Sequence, residues 1–587
     1  LKTMIETGCG YQFIVCKIED DMPVGCTYLR DYDREHNKIE YGVFLGSEEV
    51  KGRGIGTEIL GLTLQFAFGT LDVHKVFARA FSDNPASIGS FLKGGFEKEA
   101  YLKDEVFVKE MLDAEGVNAL LNIHGMFAFV YEDDEKNIIA ARDRFGNESL
   151  YYYQTESGEI IFGLTISEIL SSGKYVKKLN HQALELFLTY SYLPGHKTFF
   201  EGIIKIMPGH VMTLTDGKMK MIRYWKPEYK GDYAGDIDEC AKEVNDVLNN
   251  LVEDWKMPNE IYGNFLSGGV DSAYLAALTK PKYTFSTAYE NKEFDESDLA
   301  AQSAKTLGTE HIKIYITPDE YFGVIPEAMK AMEQPLADAS TIAFYLACKG
   351  AKKYVDICYS GEGADELFCG YHAYTRRLAN LLDKDYPNAP VETYYIGNTK
   401  VMSEAEKKEV LLNYSGEMTP LELANSLYEF DENTDDITKM WLCDLQVWFE
   451  GDIMLNAEKM SKANSLTART PFLDTRLYEI ACKIPSEYKV STKESKIVFR
   501  KAAANMIPEE VAFRKKLGFA VPARVWMEEE PYLSMIREVF ESDTARVFFD
   551  ADKIVSMLNK EYLDGPGNWR KVWNIYIFLV WYKQYFD

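Results

Sequence analysis

Residues 260–278 read EIYGNFLSGGVDSAYLAAL, and this stretch decides the fold. The run 260–266 is apolar enough for a strand buried in a parallel sheet, and a helical run occupies 273–278. Between them stands Ser267-Gly268-Gly269-Val270-Asp271-Ser272. Two glycines let the backbone close round an oxyanion, two serines add hydroxyl donors, and the helix N-terminus adds partial positive charge. The turn is an anion cradle. Asp271 inside it requires a cation between its carboxylate and the phosphates, which implies Mg²⁺. A plain strand-to-helix turn would need neither both serines nor the acid.

This string resembles the PP-loop of the ATP pyrophosphatases, which cleave ATP to AMP and pyrophosphate. The loop alone leaves synthetases of asparagine, GMP, NAD or argininosuccinate, and tRNA-thiolating enzymes, all open. The motifs that follow choose among them. Phe285-Ser286, Phe294-Asp295-Glu296-Ser297, Glu333-Gln334-Pro335 and Ala337-Asp338-Ala339-Ser340 come first. A strand at 355–359 then leads into Ser360-Gly361-Glu362-Gly363-Ala364-Asp365-Glu366-Leu367-Phe368. Arg469-Thr470-Pro471-Phe472-Leu473-Asp474, Lys496 four residues before Arg500, and Arg514-Lys515-Lys516-Leu517-Gly518-Phe519 complete the order. Over residues 229–587 the chain resembles the asparagine synthetase domain and its relatives, the β-lactam synthetases.

The resemblance implies a mechanism. A carboxylate is a poor electrophile, so it attacks the α-phosphorus of ATP and leaves as an acyl-adenylate, which ammonia then opens. Asp271 and Asp365 match the Mg²⁺ carboxylates, and Lys496 matches the lysine that neutralises charge on the α-phosphate and pyrophosphate. Lys493 stands close enough in sequence to substitute for it. Ser267, Gly268, Gly269 and Ser272 hold pyrophosphate; Phe265, Thr287, Ser360 and Gly361 match positions that hold adenosine. Glu362 matches the residue that takes a proton from attacking ammonia, and a carboxylate there suits amination. In β-lactam synthetases a Tyr paired with a Glu occupies that place. Two departures, Cys369 for a Gly and Thr467 for a Glu, are expected near the acceptor pocket.

The first part of the chain has a different texture. Strand-like runs at 11–19, 23–30 and 39–45 lead to Lys51-Gly52-Arg53-Gly54-Ile55-Gly56, a helical run at 57–68 and a strand at 75–80. Asn84-Pro85-Ala86-Ser87-Ile88, a short helix and Gly95-Phe96 follow. These resemble the GNAT N-acyltransferases, in which the loop, here Arg53, Gly54 and Gly56, binds the pyrophosphate of acetyl-CoA. The first strand and helices of that fold are expected to be missing before Leu1. Phe91 stands where many members carry a proton-donating Tyr, and a phenyl ring has no proton to give.

From about Asp113, strand-like runs at 125–131 and 138–142, the string ARDRFG ending at Gly146, and LYYY at 150–153 read as antiparallel strands. With IKIMPGH at 204–210 they resemble the C-terminal half of a class II glutamine amidotransferase domain. That family uses an N-terminal Cys as nucleophile. Cys9-Gly10 is the nearest match, and a thiol at the end of a strand is the plainer reading. Glutamine hydrolysis by these residues is therefore not expected.

The expected fold is multidomain α/β. It comprises a GNAT-like α+β domain (1–112), a partial antiparallel amidotransferase layer (113–228), and a parallel-sheet PP-loop ATP pyrophosphatase domain with a helical C-terminal part (229–587). Composition bounds the partners. A formal charge of −27 repels nucleic acid and anionic membrane surfaces. Nine cysteines form no CxxC pair, and no run reaches the roughly 18 apolar residues of a membrane span, which suits the cytoplasm. The expected cofactors are ATP and Mg²⁺, with acetyl-CoA for the first domain; a homodimer is the expected assembly. Three functions stay open: amidation of aspartate with ammonia or glutamine, amidation of a sugar carboxylate to a uronamide, and an amino-sugar acetyltransferase carrying an inactive synthetase scaffold.

Overall fold

A computed structural model describes residues 10–17, 21–33, 37–46, 54–78, 85–93, 95–96, 105–256, 260–379, 389–427, 434–515, 518 and 520–587. The chain divides into two units, Leu1–Phe107 and Val108–Asp587.

In the first unit, β1 (Tyr11–Cys16), β2 (Pro23–Asp33) and β3 (Lys38–Leu45) pair antiparallel, and β4 (Lys75–Ala78) joins β3 in parallel. A parallel neighbour needs a crossover, and the helix Ile55–Thr70 supplies it. Leu29, Ile39, Tyr41 and Leu60 form a small core, to which Phe91 and Phe96 add their rings.

The second unit opens with antiparallel layers. β5 (Ala128–Glu132), β6 (Ile138–Arg142), β10 (His210–Thr215) and β11 (Lys218–Arg223) form one sheet in the order β11-β10-β6-β5. β7 (Tyr151–Gln154), β8 (Ile160–Gly163) and β9 (Ile203–Lys205) form another, ordered β8-β7-β9. Alternation along β6 and β10 lets the first sheet bury both faces. Ala141 and Val211 pack with Leu120, Val108 and Met111, while Ala140 and Met212 pack with Leu150 and Ile206.

The ARDRFG string is a structural knot. Asp143 Oδ1 accepts the N–H groups of Phe145, Gly146 and Asn147 at 2.9–3.1 Å, closing the turn. Gly146 has φ +72, and a Cβ there would fall 2.7 Å from Pro208 Cγ, so only glycine suits it.

The remaining sheet is all parallel, Glu310–Tyr315, Tyr283–Ala288, Tyr262–Phe265, Ile357–Tyr359 and Thr467–Arg469 lying side by side in that order. Its strands are β12 (Tyr262–Phe265), β13 (Tyr283–Ala288), β14 (Glu310–Tyr315), β15 (Ile357–Tyr359) and β16 (Thr467–Arg469). The rest of the unit is helical. One rod runs from Asp436 to Ala463, its middle stretch Asp444–Met454 wound as a π-helix.

Candidate active site

The chain leaves β12 toward β13 on one side, while β15 lies on the other and leads to β16. Strand order therefore reverses between β12 and β15, and the crevice beyond their carboxyl ends is where an open parallel sheet binds ligands. A cavity of about 810 Å³ opens there.

The loop after β12 is held by its own hydroxyls. Ser267 N–H donates to Ser272 Oγ at 2.9 Å, the two serine hydroxyls meet at 3.0 Å, and Gly269 N–H donates to Ser267 Oγ at 3.1 Å. Arg514 braces it from outside, Nη1 donating to Gly268 O at 3.1 Å. The helix Val270–Thr279 starts immediately behind, so its first N–H groups face the crevice mouth.

Lys496 joins the two loops. Its side chain is 1% exposed, and its ammonium lies 2.6 Å from Asp271 Oδ1 and 2.7 Å from Asp365 Oδ1. The lysine stands at φ 57, in the left-handed region that a lysine rarely adopts, at the start of the helix Ile497–Ala503. Arg500 holds that helix by donating to Ser495, Ala512 and Arg514 carbonyls at 2.7–3.0 Å. Gly370 closes the other side. A Cβ there would fall 1.9 Å from Asp365 Oδ1 and 2.1 Å from Lys496 Cε.

Asp271 Oδ1 and Asp365 Oδ1 both hold the Lys496 ammonium here; as carboxylates on two loops at the crevice they are donors of the kind Mg²⁺ takes one or two of, completing its shell with water and substrate phosphates. Among the described residues no group of three or more His, Cys, Asp or Glu is placed to hold a metal by itself.

Glu362 lines the cavity, and Ser360 Oγ donates to its Oε1 at 3.4 Å. Glu366 behind it is buried; desolvation and the Asp365 charge push its carboxyl up to about 8. Its Oε2 accepts Gly363 N–H at 2.9 Å, and its Oε1 accepts the Tyr371 hydroxyl, whose oxygen in turn accepts Trp448 Nε1–H at 3.1 Å.

Of the residues singled out from sequence, Phe265, Ser267, Asp271, Ser272, Thr287, Ser360, Gly361, Glu362, Asp365 and Lys496 line this one cavity. Gly268 and Gly269 shape the loop without lining it. Lys493 reaches the rim but is exposed, whereas Lys496 is buried between the carboxylates. Lys516, Leu517 and Phe519 lie outside the described residues.

Neither departure lines the cavity. Cys369 is buried beside it at φ 56, a left-handed position that explains why a glycine is the ordinary occupant. Thr467 is exposed on β16, at the sheet edge. In the first unit Gly54, at φ +83, precedes the helix Ile55–Thr70, and a Cβ on Gly56 would meet Ser90 Oγ at 3.4 Å. Arg53 and Cys9 lie outside the described residues.

Sequence reading passed over Tyr371, Trp448 and Asn456, which also line the cavity. A tyrosine directly after Gly370 was the one available signal; Trp448 and Asn456 reach the site from the helical rod and carry none.

A polyphosphate cradle at the switch point of a parallel sheet, with carboxylates and a buried lysine beside it, points to a ligase that activates its substrate with ATP. The comparisons agree. A family model described as Asparagine synthase matches residues 243–583, one described as Glutamine amidotransferase domain matches 103–225, and one described as Acetyltransferase (GNAT) domain matches 2–97. Asparagine synthetase [glutamine-hydrolyzing] 1 of Bacillus subtilis (strain 168) is 31% identical over 498 residues, covering 79% of this chain and 78% of that protein. Amidase chyE of Penicillium rubens is 23% identical over 540 residues, covering 76% and 79% respectively. The chain belongs to the asparagine synthetase family and is a carbon–nitrogen ligase. No helix among the described residues is long and apolar enough to cross a membrane.

Proposed function

We propose that the enzyme adenylates the side-chain carboxylate of aspartate and lets ammonia displace AMP, giving asparagine, AMP and pyrophosphate. The observation that carries this reading is Lys496, held by Asp271 and Asp365 from two loops at the mouth of the crevice.

Each residue then has a task set by charge. Ser267, Ser272 and the N–H groups at the start of Val270–Thr279 hold the pyrophosphate portion of ATP. Asp271 and Asp365 would hold Mg²⁺, which when bound shields the triphosphate and stabilises the leaving pyrophosphate. The acceptor carboxylate attacks the α-phosphorus, and Lys496 compensates the charge gathering on the α-phosphate. A fixed ammonium in a buried site costs little reorganisation at that moment. Phe265 and Thr287, with Ser360 and Gly361, bound the adenosine end. Ammonia attacks the acyl carbon, and Glu362 removes the proton nitrogen must lose.

Aspartate as acceptor is supported by the names of the bacterial relatives. A pyrophosphate-release assay tests it, crossing ammonium or glutamine against aspartate and a panel of uronic acids. AMP and pyrophosphate appearing with aspartate is the expected result. ADP and phosphate would overturn the cradle assignment, and release only with a sugar acid would make this a uronamide-forming enzyme. In the first unit, the helix after Gly54 is where acetyl-CoA would bind, which calorimetry on the full chain tests.

A further inference from the structure

Asp338 belongs to one of the ordered strings in the sequence, yet the proposed reaction gives it no task. It is half-buried and lines the cavity. Its Oδ1 accepts Ser340 N–H at 2.8 Å and caps the helix Ala339–Ala351, while Oδ2 has no hydrogen-bond partner among the described residues. That helix packs against Leu455–Ala463, whose first turn carries Asn456. Asn456 also lines the cavity, is 9% exposed, and keeps its Oδ1 buried with no hydrogen-bond partner. A half-turn about the Cβ–Cγ bond exchanges Oδ1 with Nδ2, so an amide that the fold leaves unpaired is free to turn its oxygen to a ligand.

Negative charge is crowded at this end of the cavity. Asp452, one turn back on the rod, is buried with its own Oδ1 unpartnered, and burial together with the Asp338 and Glu362 charges pushes its carboxyl well above the ordinary range. The other end is the reverse, because Lys496 and Arg514 stand at the Ser267–Ser272 loop, where phosphate would lie. Glu362 joins the two ends: it shares a loop with Asp365, and its charge is felt at Asp452. An acceptor that brings one carboxylate to the phosphate end therefore lays its remainder toward Asp338 and Asn456. An ammonium suits both, having three N–H donors, a positive charge and no acceptor of its own. A sugar ring brings hydroxyls but no charge to set against Asp338.

We propose that Asp338 and Asn456 form a subsite for an ammonium group on the acceptor, so that the enzyme takes amino carboxylic acids and passes over uronic acids. The proposal rests on the adenylation reading above and names the acceptor class for the same cavity. In aspartate, the α-ammonium donates to Asp338 Oδ2 and Asn456 Oδ1, which leaves the side-chain carboxylate to meet the α-phosphorus beside Lys496.

The test uses the full chain and reads adenylation as exchange of labelled pyrophosphate into ATP. Aspartate drives the exchange, and succinate, which is aspartate without its amine, is the competing acid. Succinate is expected to bind at least about tenfold more weakly than aspartate, the worth of a hydrogen bond to a charged group. Asp338→Asn keeps the helix cap, since asparagine caps as well as aspartate, and removes only the charge. It should raise KM for aspartate about tenfold, with Ki for succinate within about twofold of wild type. Asn456→Ala should raise KM for aspartate less and leave the succinate Ki equally unmoved. An unchanged KM for aspartate in Asp338→Asn would overturn the proposal, as would equal weakening of both acids. So would a wild-type enzyme that succinate or a uronic acid drives as well as aspartate does. If Asn456→Ala melts well below wild type, Asp338→Asn decides the question by the same split between the two acids. Absence of exchange with every acid would overturn the adenylation reading itself, an outcome distinct from exchange that ignores the amine.

Discussion

Two regions of the second unit bury charge, and they put it to different use. Where the antiparallel layers meet the helical rod, buried charges are paired. Arg142 Nη1 donates to Glu450 Oε1 at 3.0 Å, and Lys205 Nζ lies 2.7 Å from the same oxygen. Lys459 Nζ meets Glu333 Oε2 at 2.6 Å, while Glu333 also accepts Ile166 and Ser167 N–H groups. Ser149 gives both its N–H and its hydroxyl to Glu458, which Lys462 approaches at 2.9 Å. At the cavity, by contrast, Asp271 and Asp365 converge on the ammonium of Lys496 beside an open space lined with hydroxyl donors. A closed network holds structure together; a charged cluster that fronts a cavity is free to meet a charged ligand, the use the proposed function gives it.

The sharpest break in this contrast comes from the cavity side. Lys496→Ala and Asp271→Ala should each cut AMP formation by about 10³-fold or more in protein that is still folded, as checked by circular dichroism. Near-normal turnover in either would show the assigned role to be wrong. On the network side, Glu450→Ala strands Arg142 and Lys205, and removal of one partner from a buried pair costs about 3–5 kcal/mol. Denaturant unfolding measures it; a loss below about 1 kcal/mol would make the network ornamental.

Glu362→Gln sharpens the cavity further. Pyrophosphate exchange should persist while amination drops about 10²-fold, the size of a general-base contribution. Equal loss of both would move Glu362 out of the proton-transfer role.

The network also has a pH signature. Lysines 462 and 459 and the Ser149 hydrogen bonds hold Glu458 down to about 2, below its ordinary 4.5. Its stabilisation is thus complete above about pH 4.5 and disappears as pH falls through about 2. Unfolding measured down that range should show a steeper acid loss in wild type than in Glu458→Gln. The smallest effect is expected at the rim, where Lys493→Ala should change turnover less than about threefold, since exposed charges are screened.

Much of the cavity was legible because its chemistry sits in contiguous strings. Ser267 to Ser272 and Ser360 to Asp365 each follow a strand, and strand, loop and helix are local patterns that period and glycine placement reveal. The antiparallel layer was legible in β6, where residues 138–142 run as read, while β5 begins at Ala128 rather than at Gly125. Contacts between distant segments left no trace. Arg142 finds Glu450 across 308 residues, and Trp448 reaches Tyr371 from a π-wound stretch that no helical periodicity announces. Cys369 could be noted as a substitution, but its left-handed backbone is a property of the folded loop.

The rod from Asp436 to Ala463 carries Glu450, Glu458 and Lys459 toward the antiparallel layers and Trp448, Ile453, Asn456 and Ala457 toward the cavity. A helix turns as one body, so the two sets share a single axle. Any rotation that lets Glu450 follow a displaced partner swings Trp448 with it, and with Trp448 its hydrogen bond to Tyr371. Strain applied to the layers is therefore geared directly to one wall of the cavity.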